Sequence, residues 1–204
     1  PPRSTLFPYT TLFRSVLGNN SGVALMLHLE GTLCAQTGKF ARASDLFHHA
    51  LALREQLGDD AATAKTLNNL GIVARSQGDI DTALAHYERS LAIRRRVNDR
   101  REIANSLNNL GFTHRFRRDF VRARELLGES VQLNRAVGDR WSTANALTSL
   151  AELALDTGDA GLAQRCLQES ITINRELGDR RALAFLLEGV GRLAVLREIG
   201  RAHV

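Results

Sequence analysis

Apolar residues recur at helical spacing in segments of about 16 to 18 residues, each closed by a polar turn of one kind. Leu67, Leu70, Val73 and Ala74 line one face of one segment, and Ala83, Leu84, Tyr87 and Leu91 one face of the next. The turns keep a ruler: LGNN begins at 17, LGDD at 57, VNDR at 97, VGDR at 137 and LGDR at 177, a period of 40 without insertion. A second turn falls halfway through each unit, at TGK (37–39), QGD (77–79), RRD (117–119) and TGD (157–159). The pattern predicts an all-α chain of repeated helical hairpins.

Turn chemistry agrees with that reading. Gly58, Gly138 and Gly178 suit the left-handed residue that ends a helix, and Asn98 is the next best residue for it. The aspartates that follow, at 59, 99, 139 and 179, can cap the next helix, and Asp99 with Glu102 has capping-box spacing. Arg118 stands where the other midway turns have glycine. A left-handed conformation there costs on the order of 1 kcal/mol, which predicts a reshaped third turn. Residues 16–197 contain no proline, as an all-helical stretch requires.

Small residues recur twelve apart: Gly31 and Ala43, Gly71 and Ala83, Gly111 and Ala123, Ala151 and Ala163. Four positions on come Phe47, Tyr87, Leu127 and Leu167, and three later Ala50, Ser90, Ser130 and Ser170. These spacings resemble the tetratricopeptide repeat. The resemblance is to its 40-residue class, since the usual unit has 34 residues. It implies a right-handed α-solenoid of four hairpins, at about 20–58, 59–98, 99–138 and 139–178, plus one further helix at about 180–196 within a partial unit 179–197. The family's closing proline is absent, and Glu30 stands where the family usually has leucine.

The two ends differ in character from the repeats. Residues 1–15 read back into codons, without mismatch, as a synthetic adapter used in short-read DNA sequencing, and residues 198–204 as the start of its partner. The expectation is that 1–15 and 198–204 are translated adapter and that 16–197 is native repeat array, an internal piece of a longer protein.

In a solenoid of this family the first helices line the inner wall. The resemblance places on that wall Lys65, Asn68, Ile72 and Arg75 in the second unit, Asn105, Asn108, Phe112 and Arg115 in the third, and Asn145, Thr148, Glu152 and Leu155 in the fourth. An Asn side chain offers an acceptor and two donors, and so matches a peptide unit. Lys and Arg supply charge for a carboxylate. Lys65, Asn68, Arg75, Asn105, Asn108, Arg115 and Asn145 are therefore the candidate peptide-binding residues, with plain solvated surface as the alternative for the asparagines. Asn69 and Asn109 are assigned structural hydrogen bonds.

Charge changes this picture little. The net charge is +5, and +3 once Arg3, Arg14, Arg201 and Glu198 are set aside with the adapter ends. Arginines at 94–96, 100, 101, 115, 117 and 118 raise nucleic-acid binding, but Arg94–Arg96 read as a solvated helix end favoured by the helix dipole. Phe112, Phe116 and Phe120 read as packing residues rather than a stacking platform, so nucleic acid is not an expected partner. All basic residues but Lys39 and Lys65 are arginine, which suggests a GC-rich bacterial genome. Cys34 and Cys166 read as free thiols. His28, His48, His49, His86 and His114 show no metal-ligand spacing, and no phosphate loop or nucleophile motif is present. No enzyme activity, cofactor, metal or membrane span is expected, and the reducing cytosol is the expected compartment.

The expected function is a protein- or peptide-binding scaffold. NNLG and LGDR units, with the ending ALAFLLEGVGRLAV, are similar to the sensory repeat regions of bacterial signal-transduction ATPases and LuxR-like transcriptional regulators. That resemblance implies flanking effector domains. A passive assembly scaffold, a nucleic-acid-binding repeat and self-association through exposed array ends stay open.

Overall fold

The computed structural model describes residues 19–202, so the residues assigned to the first adapter lie outside the described residues. Nine helices are present among the described residues, with no strand: α1 (Asn20–Gln36), α2 (Phe40–Gln56), α3 (Asp60–Ser76), α4 (Ile80–Arg96), α5 (Arg100–Phe116), α6 (Phe120–Ala136), α7 (Arg140–Asp156), α8 (Ala160–Leu177) and α9 (Arg180–Ala202). The all-α expectation holds. The last helix runs past the expected end at about 196, because nothing in REIGRA breaks a helix.

Every helix start but one is capped as the turn chemistry requires. Asn19, Asp59, Asp79, Asp99, Asp119, Asp139, Asp159 and Asp179 each accept, at 2.9–3.2 Å, from the backbone N–H three residues on. Lys39, before α2, makes no side-chain cap. Asn98 takes φ 56° and Arg118 φ 63° in the left-handed region. The third midway turn is thus not reshaped. Arg118 N donates to Arg115 O at 3.0 Å and Asp119 N to His114 O at 3.0 Å, the bonds that the glycine turn makes from Gly78 to Arg75 and from Asp79 to Ala74. The two closing bonds and the Asp119 cap outweigh the strain. Arg118→Gly is accordingly expected to stabilise the chain by about 1 kcal/mol, read as a raised urea midpoint.

The chain divides into two compact units between Val97 and Asn98. In the first, α1 packs on α2, α2 on α3 and α3 on α4, and α1 touches α3. Its core holds Phe47, Leu67, Leu70, Val73 and Ile93, with a second cluster of Val23, Ala24, Leu27, Leu46 and Leu53. In the second unit, hairpins α5/α6 and α7/α8 pack through α6 and α7, and α9 lies on α8 and α7. Leu127, Leu147, Leu153, Leu167 and Leu186 fill its core.

Within each hairpin the close approach comes from one contact. A Cβ on Gly71 would lie 2.6 Å from the Tyr87 ring, one on Gly31 2.8 Å from Phe47, and one on Gly111 2.7 Å from Leu127 Cγ. Hence the first helix is small where the large residue sixteen positions later presses on it. The serines at 90, 130 and 170 do more than stay small. Their hydroxyls donate to the carbonyls of Ala64, Ala104 and Ala144 at 2.8, 2.8 and 3.0 Å, tying each second helix to its own first.

Candidate functional site

The candidate residues of the first unit stand on α3. Lys65 is exposed there, while Asn68, Ile72 and Arg75 are half-buried. Behind them lies a polar network that the sequence did not announce. Arg54, from α2, is buried, and its Nη1 sits 3.0 Å from His28 Nδ1 and donates to Ala62 O at 3.0 Å and to the Thr66 hydroxyl. His28 Nε2 lies 3.3 Å from Asn69 Nδ2. Asn69 therefore does the structural work assigned to it. Burial, then the Arg54 and Lys65 charges, push the His28 imidazole down to about 4. The signal was readable along the ruler: Arg54, Arg94, Asn134 and Asn174 occupy one register position, each beside an apolar residue.

In the second unit the candidates stand on α5 and α7, which lie side by side. Asn105, Asn108, Phe112 and Arg115 are half-buried on α5, as are Asn145, Thr148 and Glu152 on α7, and Leu155 is buried. Asn105 Nδ2 donates to Glu102 Oε1 at 3.4 Å. Asn108 Oδ1 is buried with no partner. The Thr148 hydroxyl is spent on Ala144 O and on Ser170 Oγ, both at 2.9 Å.

Arg115, a candidate for a ligand's charge, is instead paired within the chain. It donates to Glu152 at 3.0 Å and to Asp156 at 2.5 Å, and Arg192 of α9 reaches the same two carboxylates at 2.8 Å each. Burial works to raise the Asp156 carboxyl, but hydrogen bonds from Arg115 and Arg192, with their charges, outweigh it and hold it below the usual range. Two acids and two guanidiniums make a neutral cluster. Its position follows from the ruler, since Arg115 and Glu152 come from corresponding stretches of neighbouring first helices. The Arg115 guanidinium also lies 5.7 and 5.6 Å from the Phe112 and Phe116 ring centroids, and the two rings stand edge to face at 5.0 Å. Phe116 is exposed, which corrects its reading as a packing residue.

The arginine run forms the expected solvated helix end in part: Arg95 and Arg96 are exposed in the last turn of α4, and Arg94 departs from the expectation. Arg94 is buried, Arg96 pairs with Asp60 at 2.6 Å, and Arg101 with Asp139 at 3.3 Å. His48 and His49 are exposed, and His114 is half-buried, its Nδ1 3.3 Å from Asp119. Among the described residues no three potential metal ligands gather, and no helix is long and apolar enough to cross a membrane.

Comparison with known proteins agrees with the hairpin geometry. The tetratricopeptide repeat family matches residues 22–96, 62–136 and 102–176. Among curated proteins none is significantly similar in sequence. Among solved structures, BtubC (BKLC) from P. vanneervenii is similar at TM-score 0.70 and 18% identity, over 78% of this chain and 66% of that one. Aspartyl phosphate phosphatase F from Bacillus subtilis is similar at TM-score 0.76 and 8% identity, over 88% and 50%. RapI in its apo form is similar at 0.76 and 15%, over 82% and 62%. The chain spans between half and two thirds of these proteins, and at such identities the likeness is one of fold. With its helices paired on a 40-residue ruler and three overlapping matches from residue 22 to 176, the chain belongs to the tetratricopeptide repeat family.

Proposed function

We propose that the chain is a protein- or peptide-binding repeat scaffold, and that it serves as the partner-sensing part of a larger bacterial regulatory protein. The observation that carries the binding reading is the amide wall of the second unit. Asn105, Asn108 and Asn145 stand half-buried on adjoining first helices. Side-chain amides spaced along rigid helices can hold the N–H and C=O groups of an extended peptide without reading its side chains. In the first unit Lys65, Asn68 and Arg75 supply amide and positive charge on α3, which suits an acidic residue or a terminal carboxylate. In the second unit the neutral Arg115–Glu152–Asp156–Arg192 cluster beside Phe112 and Phe116 favours an apolar or aromatic ligand side chain. The regulatory setting rests on the likeness of the NNLG and LGDR units to sensory repeat regions, and the scaffold acts by binding rather than by turnover.

The test is selection of linear peptides from a displayed library on the immobilised chain, followed by fluorescence anisotropy with the recovered peptide. Asn108→Ala with Asn145→Ala is expected to weaken binding about tenfold, the loss of one or two net hydrogen bonds, with an unchanged melting temperature. Recovery of no peptide, or binding indifferent to the double substitution, would sink the reading. An earlier melt would mark these asparagines as structural.

A further inference from the structure

Helix α1 carries an apolar stripe that the peptide wall does not use. Leu25, Met26, Leu29 and Leu33 are 51 to 61% exposed, side by side on one helix face. Forty residues on, the positions of Met26 and Leu33 are Thr66 and Val73, and forty further Ser106 and Thr113, all 2% exposed or less. The ruler thus shows that the Met26 and Leu33 half of the stripe is covered in the following units, whereas the counterparts of Leu25 and Leu29 in the next unit, Lys65 and Asn69, stay exposed and half-buried. Contiguous exposed apolar surface of this kind marks an interaction site.

The choice of occupant follows from what the stripe lacks. A second helix of this chain's own kind carries a buried polar group at the position of Arg54, Arg94, Asn134 or Asn174. Arg54 meets the Thr66 hydroxyl on the next first helix, and Asn69, three residues on, meets His28. On α1 the same two positions are Met26 and Leu29, which offer neither donor nor acceptor. A helix of that kind seated here would bury an unpaired guanidinium or amide, at the cost that desolvation without a partner imposes. The stripe calls for an apolar occupant without charge. The α1 stripe is itself such a surface: the only acidic or basic side chains between Asn20 and Gln36 are His28, buried and neutral at pH 7, and Glu30, held by Arg42 at 3.0 Å, so two copies bring no unpaired like charges together. Helix α9 also exposes Phe185, Leu187, Val190 and Val195, but among Arg180, Arg181, Arg192 and Arg197.

We propose that the chain pairs symmetrically with a second copy of itself through the Leu25, Met26, Leu29 and Leu33 face of α1. One self-complementary patch closes as a dimer, whereas contact between two different patches propagates.

Sedimentation velocity of the full chain decides the matter. Native chain is expected to show a concentration-dependent doubling of mass. Met26→Glu with Leu33→Glu is expected to abolish it while the helical circular dichroism stays the same, and Leu187→Glu with Val190→Glu to leave it intact. A monomer at every concentration, or a dimer lost with the α9 pair and kept with the α1 pair, would overturn the proposal. Should the glutamate variants fail to fold, Leu29→Cys in a Cys34→Ser background provides the second readout. Mild oxidation is expected to give a covalent dimer from Leu29→Cys and none from Leu187→Cys, and the reverse result refutes the pairing. Cys166 does not compete, being buried, with its thiol pushed by that burial to about 11.

Discussion

Tyr87→Ala is expected to destabilise the first unit by about 3–5 kcal/mol, the range for emptying a buried aromatic site. Tyr87 is fully buried and presses its ring onto Gly71, so the truncation opens a cavity between α3 and α4. Its hydroxyl is buried without a partner, and burial pushes its pKa up to about 12. Tyr87→Phe should therefore cost nothing and gain up to about 1 kcal/mol, since it deletes an unsatisfied donor and restores the phenylalanine found at Phe47. The glycine is the other half of the contact. Gly71→Ala places a methyl 2.6 Å from the ring and is expected to cost about 1–3 kcal/mol. The fourth unit shows the compensated pair, Ala151 with Leu167. Gly71→Ala with Tyr87→Leu should thus lose less than the sum of its single substitutions. Stacked hairpins melt as neighbours rather than as one body, so the readout is amide hydrogen exchange over residues 60–96 beside the thermal melt. Additive losses would show that the ring and the missing methyl do not share the space.

Much of this was legible in the order of residues, because a repeat states each local rule several times. Aspartate after a turn became a cap wherever it stood, and Asn98 took the left-handed role that glycine plays elsewhere. Arg118 was the misleading position: its local strain read as a different turn, yet two backbone bonds and the Asp119 cap hold it in the common shape. The candidate wall was legible only in part. Helical spacing places Asn105, Asn108 and Arg115 on one face, but it does not say that Glu152, Asp156 and Arg192 reach across to claim Arg115. Charge read along one helix misses a partner on the next. Arg94 shows the same limit: it reads as part of a solvated helix end, yet it is buried as Arg54 is, whose acceptors, Thr66 and Ala62 O, stand on the next helix.

Acid is expected to weaken the first unit through His28. Its pKa lies near 4 in the folded chain against 6.5 for the free side chain, so above 6.5 the imidazole is neutral in both states and the network is intact. Between 6.5 and 4 the unfolded chain takes a proton that the folded one refuses, and stability falls with falling pH. The loss levels off below 4, at on the order of 3 kcal/mol, because a tenfold difference in proton affinity between the two states is worth about 1.4 kcal/mol. The groups facing His28 explain the refusal: Phe47 5.3 Å away, the Arg54 guanidinium on Nδ1, the Asn69 amide at Nε2, and the Lys65 charge. Among the described residues no carboxylate is bonded to the ring, so a protonated imidazole would face a cation across 3.0 Å. Asn68 and Asn108 occupy the same register position in the next two units, which makes His28→Asn the conservative probe. Urea midpoints of both proteins from pH 7.5 to 4 should diverge, the native chain losing stability that the variant keeps. His86, also held below its usual value by burial, His48 and Arg89, titrates in both proteins and cancels in the difference. Parallel curves would mean that His28 is protonated in the folded chain and that the network tolerates its charge.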